Sequence, residues 1–215
     1  MNEKFYAEYD TDKIIRETYF PDYSYSGIVI EVGGGTPEFL SMSRHFKLNN
    51  WRAIIVEPNP LFVNLHKDIG NEVYQYACSN ADKDDVDFTV VSINENKKEN
   101  SSVVTDHSFS ALEIKQSYVD IHKDFLNSLR KYTIKVNVRK MDTILDIINV
   151  DKIDILSVDV EGWELEVMEG LSKLKPKVVV LENVLHDESY NIFMENYGYK
   201  LDKKLEHNYI YLLNK

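Results

Sequence analysis

Gly27-Ile-Val-Ile-Glu-Val-Gly-Gly-Gly-Thr-Pro-Glu38 is the stretch on which the fold turns. Its first six residues are an apolar run broken only by Glu31, too short for a helix and bounded by glycine, which reads as a strand buried on both faces. Three consecutive glycines then let the chain turn tightly and bring backbone N–H groups against a ligand, and Pro37 suits the first turn of a following helix, where no N–H is needed. Similar strand-like runs recur at Arg52–Glu57, Val73–Ala77, Ile153–Val160 and Lys177–Glu182, with helical patterns at about 38–48, 60–69, 142–149, 162–174 and 187–196. Nearly all-apolar strands alternating with helices specify an α/β fold with a mostly parallel sheet covered on both faces. The rhythm changes at the end. Tyr199–Lys203 and Tyr209–Leu213 are separated only by a short connection around Glu206–His207, which predicts a C-terminal antiparallel hairpin on the sheet edge.

The 215 residues suit a single domain spanning 1–215, with an N-terminal helical lead-in over 1–26 and an insert over 92–131. Within that insert, 94–100 reads as a solvated loop. Residues 113–131 read as an extra helix between Phe88–Val91 and Thr133–Val138, with Tyr118, Ile121, Phe125 and Leu129 as a core-facing stripe. With 25 Lys+Arg against 36 Asp+Glu the formal charge is −11, a field that repels phosphate backbones, so no nucleic-acid partner is expected. Cys78 is the only cysteine, so no internal disulfide calls for an oxidising compartment. The polar N-terminus and the absence of a long apolar run predict a cytoplasmic protein with no membrane partner.

Ligands of open parallel sheets bind at the carboxyl ends of the strands, and here those ends are acidic and glycine-rich. Glu57 follows Gly35 by 22 residues, a spacing that suits a carboxylate accepting hydrogen bonds from ribose hydroxyls. A dinucleotide site would want a small residue where Glu38 stands, and a carboxylate at a helix start opposes a pyrophosphate. A nucleoside ligand with a positive centre fits better, and S-adenosylmethionine is one. Pro58, Asn59, Ala77 and Cys78 stand at the next strand ends, where they could border such a ligand. Asp159 closes the fourth strand, and with Glu182 and Asn183 it offers hard oxygen ligands of the kind Mg²⁺ accepts. Glu161 either charges the following helix start or joins the chemistry. His186, four residues after Glu182, is the histidine placed to act as a general base. His45 and His66 fall in helix patterns as surface or core-edge residues.

These residues together resemble the FkbM family of S-adenosylmethionine-dependent methyltransferases. The likeness runs over about 5–185, through EVGGGTPEFLSMS, VEPNP, YACSN, KVNVRKMDTILD, VVVLEN and, most specifically, SVDVEGWELEVMEGL. It implies a class I (Rossmann-like) methyltransferase fold and methyl transfer to a hydroxyl oxygen of a saccharide or other glycosylated small molecule. It would place the cofactor against Glu31, Gly33, Gly34, Gly35 and Glu57, and Asp159 and Glu161 at the reacting centre. Pro37 departs from the glycine many such loops carry. The run Asp159-Val160-Glu161-Gly162 lacks the Pro-Pro-aromatic pattern expected of methyltransferases that act on base nitrogens, which favours oxygen. Two rival readings are an RNA ribose O-methyltransferase and a nucleoside-binding module without turnover.

Overall fold

The computed structural model describes residues 3–92, 106–121, 123–127 and 129–214. A short 3₁₀ turn at Glu8–Asp10 leads into α1 (Thr11–Tyr19). The sequence then alternates as expected: β1 (Ile28–Val32), α2 (Arg44–Leu48), β2 (Arg52–Val56), α3 (Pro60–Asp68) and β3 (Glu72–Tyr74). After an excursion described below come α6 (Met141–Ile148), β8 (Ile155–Val158), α7 (Glu164–Glu169), β9 (Val178–Glu182), α8 (Ser189–Asn196), β10 (Tyr199–Leu205) and β11 (Asn208–Leu213). These seven strands form one sheet in the order β10-β11-β9-β8-β1-β2-β3, parallel except that β11 runs antiparallel to both its neighbours. The terminal hairpin is therefore where the sequence puts it, turning at Glu206–His207.

Successive strand residues face opposite layers. Val29, Ile155, Val178, Val180 and Ile210 pack with Ile15 and Phe46 from α1 and α2. Ile30, Leu156, Val179 and Leu181 pack with Ile144, Val167 and Met194 from α6, α7 and α8. Each such buried aliphatic side chain contributes roughly 1.5–3 kcal/mol, so a one-residue slip of any central strand would be prohibitive.

The excursion is the main departure from expectation. The run at Val73–Ala77 does not form one strand: β3 ends at Tyr74, and Ala77–Cys78 forms β4 in a second sheet. That sheet has the order β4-β7-β5-β6, with β5 at Lys83–Ser92, β6 at Asp106–Ala111 and β7 at Arg130–Arg139. Its small core, from Ala77, Phe88, Val90, Val136 and Val138, is its own. The apolar pattern in Phe88–Val91 and Thr133–Val138 was visible, but their antiparallel pairing is long-range. The helix expected over 113–131 is instead two short helices, α4 (Gln116–Ile121) and α5 (Lys123–Asn127), before β7 begins. Its stripe holds only in part: Tyr118 is buried but Ile121 is exposed, and the Phe125 side chain, like the 94–100 loop, lies outside the described residues.

Two other helices are shorter than their patterns. The one expected over 38–48 begins only at Arg44, because the Glu31 carboxylate captures the segment before it. It accepts from the Met42 N–H (2.8 Å), the Ser43 N–H (3.1 Å) and both the Ser41 and Ser43 hydroxyls. The one expected over 162–174 is trimmed to α7, with Gly162 at φ +94° before it and Gly170 after it. A Cβ on Gly170 would stand 2.5 Å from the Ser79 carbonyl, so glycine lets the β4 connection pass close to the helix end. No described helix is long and apolar enough to cross a membrane.

Candidate active site

The ends of β8, β1, β2 and β3 are tied together by backbone bonds that continue past the strands. Asp159 N–H donates to the Val32 carbonyl (3.0 Å), Gly33 N–H to Val56 (2.9 Å) and Glu57 N–H to Tyr74 (3.1 Å). These ties put Asp159, the glycine loop and Glu57 side by side. Gly33, at φ +83°, cannot be replaced: a Cβ there would lie 1.7 Å from the Asp159 carbonyl. A Cβ on Gly34 would meet Ile55 at 2.3 Å, so that glycine serves packing against β2. At Gly35, φ +47°, a Cβ would meet nothing within 4 Å, because the residue borders open space. His66 is fully buried rather than peripheral, and its Nε2 stands 3.1 Å from the Gly35 carbonyl, bracing the loop from behind. His45 is equally buried, its Nδ1 2.9 Å from the Lys4 carbonyl.

Two connected cavities open here. The first is the narrower of the two. Gly33, Gly35, Glu57, Pro58, Ala77, Cys78 and Asp159 line it, joined by Phe88, Leu112 and Trp163, which the sequence reading did not single out. Glu57 is held by the Gly35 N–H (3.0 Å) on one oxygen and the Asn59 N–H (2.7 Å) on the other. Burial pushes its carboxyl up to about 7 against the pull of those donors, with Glu31 and Asp159 adding to the rise. Asn59 does not line either cavity; its side-chain oxygen accepts from Leu61 N–H and caps α3. Burial also raises the Cys78 thiol, whose Sγ sits 3.8 Å from the Met141 sulfur, so this cysteine is an inert wall and no nucleophile.

The second cavity is a wider cleft reaching from Gly33–Thr36 past Asp159, Glu161 and Glu182 to Tyr9, Phe39, Leu40 and His207. Asp159 borders both spaces. Glu31 also lines the cleft, though its oxygens are spent on the 41–43 loop. Asp159, Glu161 and Glu182 bring one carboxylate oxygen each within 4.8 Å of one another. Desolvation by the walls of the cleft, followed by the Glu164 charge, raises Asp159 to about 7. Glu161 and Glu182 are held well above the usual carboxylate range, first by burial and then by Asp159. Asp159 and Glu182 share a hydrogen bond. Glu164, fully buried next door, is satisfied by Tyr190 O–H (2.6 Å) and the N–H groups of Val160 and Gly162.

Two expectations are corrected here. Asn183 is not part of the acidic group, because its amide exchanges two hydrogen bonds with the Asp187 backbone (2.9 and 3.0 Å); Glu161 takes that place. His186 does not line the cleft. It is exposed, with Nδ1 2.9 Å from the Tyr209 hydroxyl, whereas His207, on the hairpin turn, is the histidine that faces the cavity. The signal for His207 was faint: a polar residue in a tight turn whose neighbouring strand end, Glu182, only the folded sheet reveals. Glu8 was likewise missed; it and Tyr9 are brought over the cleft by the lead-in segment, where Ala7 bridges to Leu40.

A parallel sheet with this strand order, an antiparallel terminal hairpin, and glycine loop and acids at its strand ends defines the class I methyltransferase fold. The chain belongs to the FkbM methyltransferase domain family, whose profile matches residues 31–201. Among solved structures it is similar to that of precorrin-6y C5,15-methyltransferase from Geobacter metallireducens GS-15, with 13% identity, 94% of this chain and 88% of that chain covered, and a TM-score of 0.40. No curated protein matches the chain.

Proposed function

We propose that this protein is an S-adenosylmethionine-dependent O-methyltransferase acting on a hydroxyl of a saccharide or other glycosylated small molecule in the cytoplasm. The observation that carries the reading is the junction at Asp159, where a pocket lined by the glycine loop and Glu57 meets an acid-lined cleft. The pocket residues fit the cofactor. Glu57 offers carboxylate oxygens to ribose hydroxyls, open space at Gly35 admits a close backbone approach, and apolar Phe88 and Leu112 suit an adenine face. When bound, S-adenosylmethionine supplies the methyl group: the acceptor oxygen bonds to the methyl carbon as the carbon–sulfur bond breaks, its electrons staying on sulfur.

The chain's own residues then position the acceptor and receive its proton. Holding the two reacting atoms in line removes most of the entropic barrier, and a nearby base need only take the hydroxyl proton. Asp159, raised toward neutrality and next to the cofactor pocket, is the group placed to accept it. Tyr9, Phe39 and Phe109 give the cleft aromatic faces of the kind a sugar ring packs against. Among the described residues no lysine or arginine lines either cavity, which supports a small acceptor over the phosphate backbone of RNA. Calorimetric titration of S-adenosylhomocysteine tests the reading. Wild type should bind in the micromolar range and Glu57→Ala should not; absence of binding to the wild type would remove the methyltransferase activity and leave the fold.

A further inference from the structure

Asp159, Glu161 and Glu182 meet in the cleft, and among the described residues no lysine or arginine lines it. Glu161, a residue that lines the cleft, is only 8% exposed, and its buried Oε2 has no hydrogen-bond donor. Glu182 Oε2 is buried and likewise without a donor. An orphaned buried carboxylate oxygen is costly unless a donor or something positive reaches it. The neighbouring Glu164 shows the contrast, since its oxygens are fully engaged.

We infer that Asp159, Glu161 and Glu182 form a divalent-cation site at the acceptor end of the cleft. The chemistry of the donors is that of Mg²⁺, Mn²⁺ or Ca²⁺: three hard oxygens, with no sulfur or imidazole nitrogen in the set. An ion about 2.0–2.6 Å from each oxygen sets neighbouring ligands about 3 Å apart and opposed ones about 4–5 Å apart. The observed spread, within 4.8 Å, is compatible with that arrangement after small side-chain movement. The positive centre of the cofactor does not fill the role. Asp159 alone borders the cofactor pocket, while Glu161 and Glu182 face only the acceptor cleft. The consequence rests on the reading above: an acceptor hydroxyl coordinated there loses its proton more readily and is oriented toward the cofactor pocket.

The test is Mn²⁺ binding to the full chain, followed by electron paramagnetic resonance and calorimetry, with no substrate needed. One ion should bind per chain. Glu161→Gln and Glu182→Gln should each weaken it about tenfold or more, while Asn183→Ala should leave it within about threefold. Absence of Mn²⁺ binding to the wild type, or binding indifferent to Glu161→Gln and Glu182→Gln, would overturn the site and leave the acids to a cationic group of the acceptor. Circular dichroism checks that each variant is folded, and Asp159→Asn takes the place of either that is not. Titrating S-adenosylhomocysteine into the same samples separates the two readings, because nucleoside binding without Mn²⁺ binding sinks the ion alone and the reverse sinks the methyltransferase alone.

Discussion

At Gly33 and Gly35 the same substitution has two different meanings. Gly33→Ala drives a Cβ into the Asp159 carbonyl at 1.7 Å with φ at +83°, so it should destabilise the fold by on the order of 3 kcal/mol or more, read as a lowered thermal midpoint. Gly35→Ala meets no atom and carries only the left-handed backbone cost of about 1–2 kcal/mol; its effect should appear as weakened S-adenosylhomocysteine binding in a protein that still melts cooperatively. Glu57 adds a pH dependence. With its carboxyl near 7, it accepts ribose hydroxyls fully only above that pH, so affinity measured by calorimetry should fall between pH 8 and pH 6. Glu57→Gln should flatten that dependence. The glycines and Glu57 were legible because their spacing along the chain is itself the signal. His207 was not, because the partners that give it meaning come from residues far away in sequence.

Whole elements were legible where the pattern and its punctuation agree. Asn59 and Pro60 start α3 as cap and first-turn proline, and the helix runs as the sequence says. The pattern failed where a distant side chain outbids helical propensity. The 38–43 segment has suitable residues for a helix, but Leu40 sits at φ +59° and the N–H groups of Met42 and Ser43 belong to Glu31. Glu31→Ala should therefore release that loop and cost roughly 2–4 kcal/mol, taking several charge-assisted hydrogen bonds at about 1.5–3 kcal/mol each less what water restores. Hydrogen exchange should show the loss confined to 36–44 and to the cleft wall it builds. Tyr190→Phe offers a smaller version between α7 and α8. It leaves one oxygen of buried Glu164 without its donor and should lower the thermal midpoint by several degrees without altering nucleoside affinity.

Across the whole molecule, the carboxyls collected at the strand ends make stability run against the usual direction with pH. A carboxyl raised in the folded state holds its proton there and loses it in the unfolded chain. Its stabilisation is therefore complete below the unfolded value and disappears as pH rises through the folded one. For Glu57 the window runs from 4.5 to about 7 and is worth on the order of 3 kcal/mol; Glu31 and Glu164 shift in the same direction. Acids lowered in the fold, such as buried Asp154 through its bond to Lys177, act only below the ordinary range near 3.8 and do not cancel it. The ligand-free protein should accordingly melt highest near pH 5 and progressively lower toward pH 8 in differential scanning calorimetry. The main sheet could be foreseen from local patterns, whereas the second could not, since β5 and β7 find each other only across some forty intervening residues. That second sheet leaves and rejoins the body at one place: β4 pairs in parallel with the last residues of β7, Ala77 beside Val138 and Cys78 beside Arg139. A segment whose two ends lie side by side and whose core is its own can be exchanged as a cassette. Grafting the equivalent of 83–137 from another member of the family would carry Phe88 and Ser110–Leu112 of the first cavity and Phe109 of the cleft with it while the glycine loop and Glu57 stayed in place, so both spaces could be re-lined by recombination without rebuilding the main sheet.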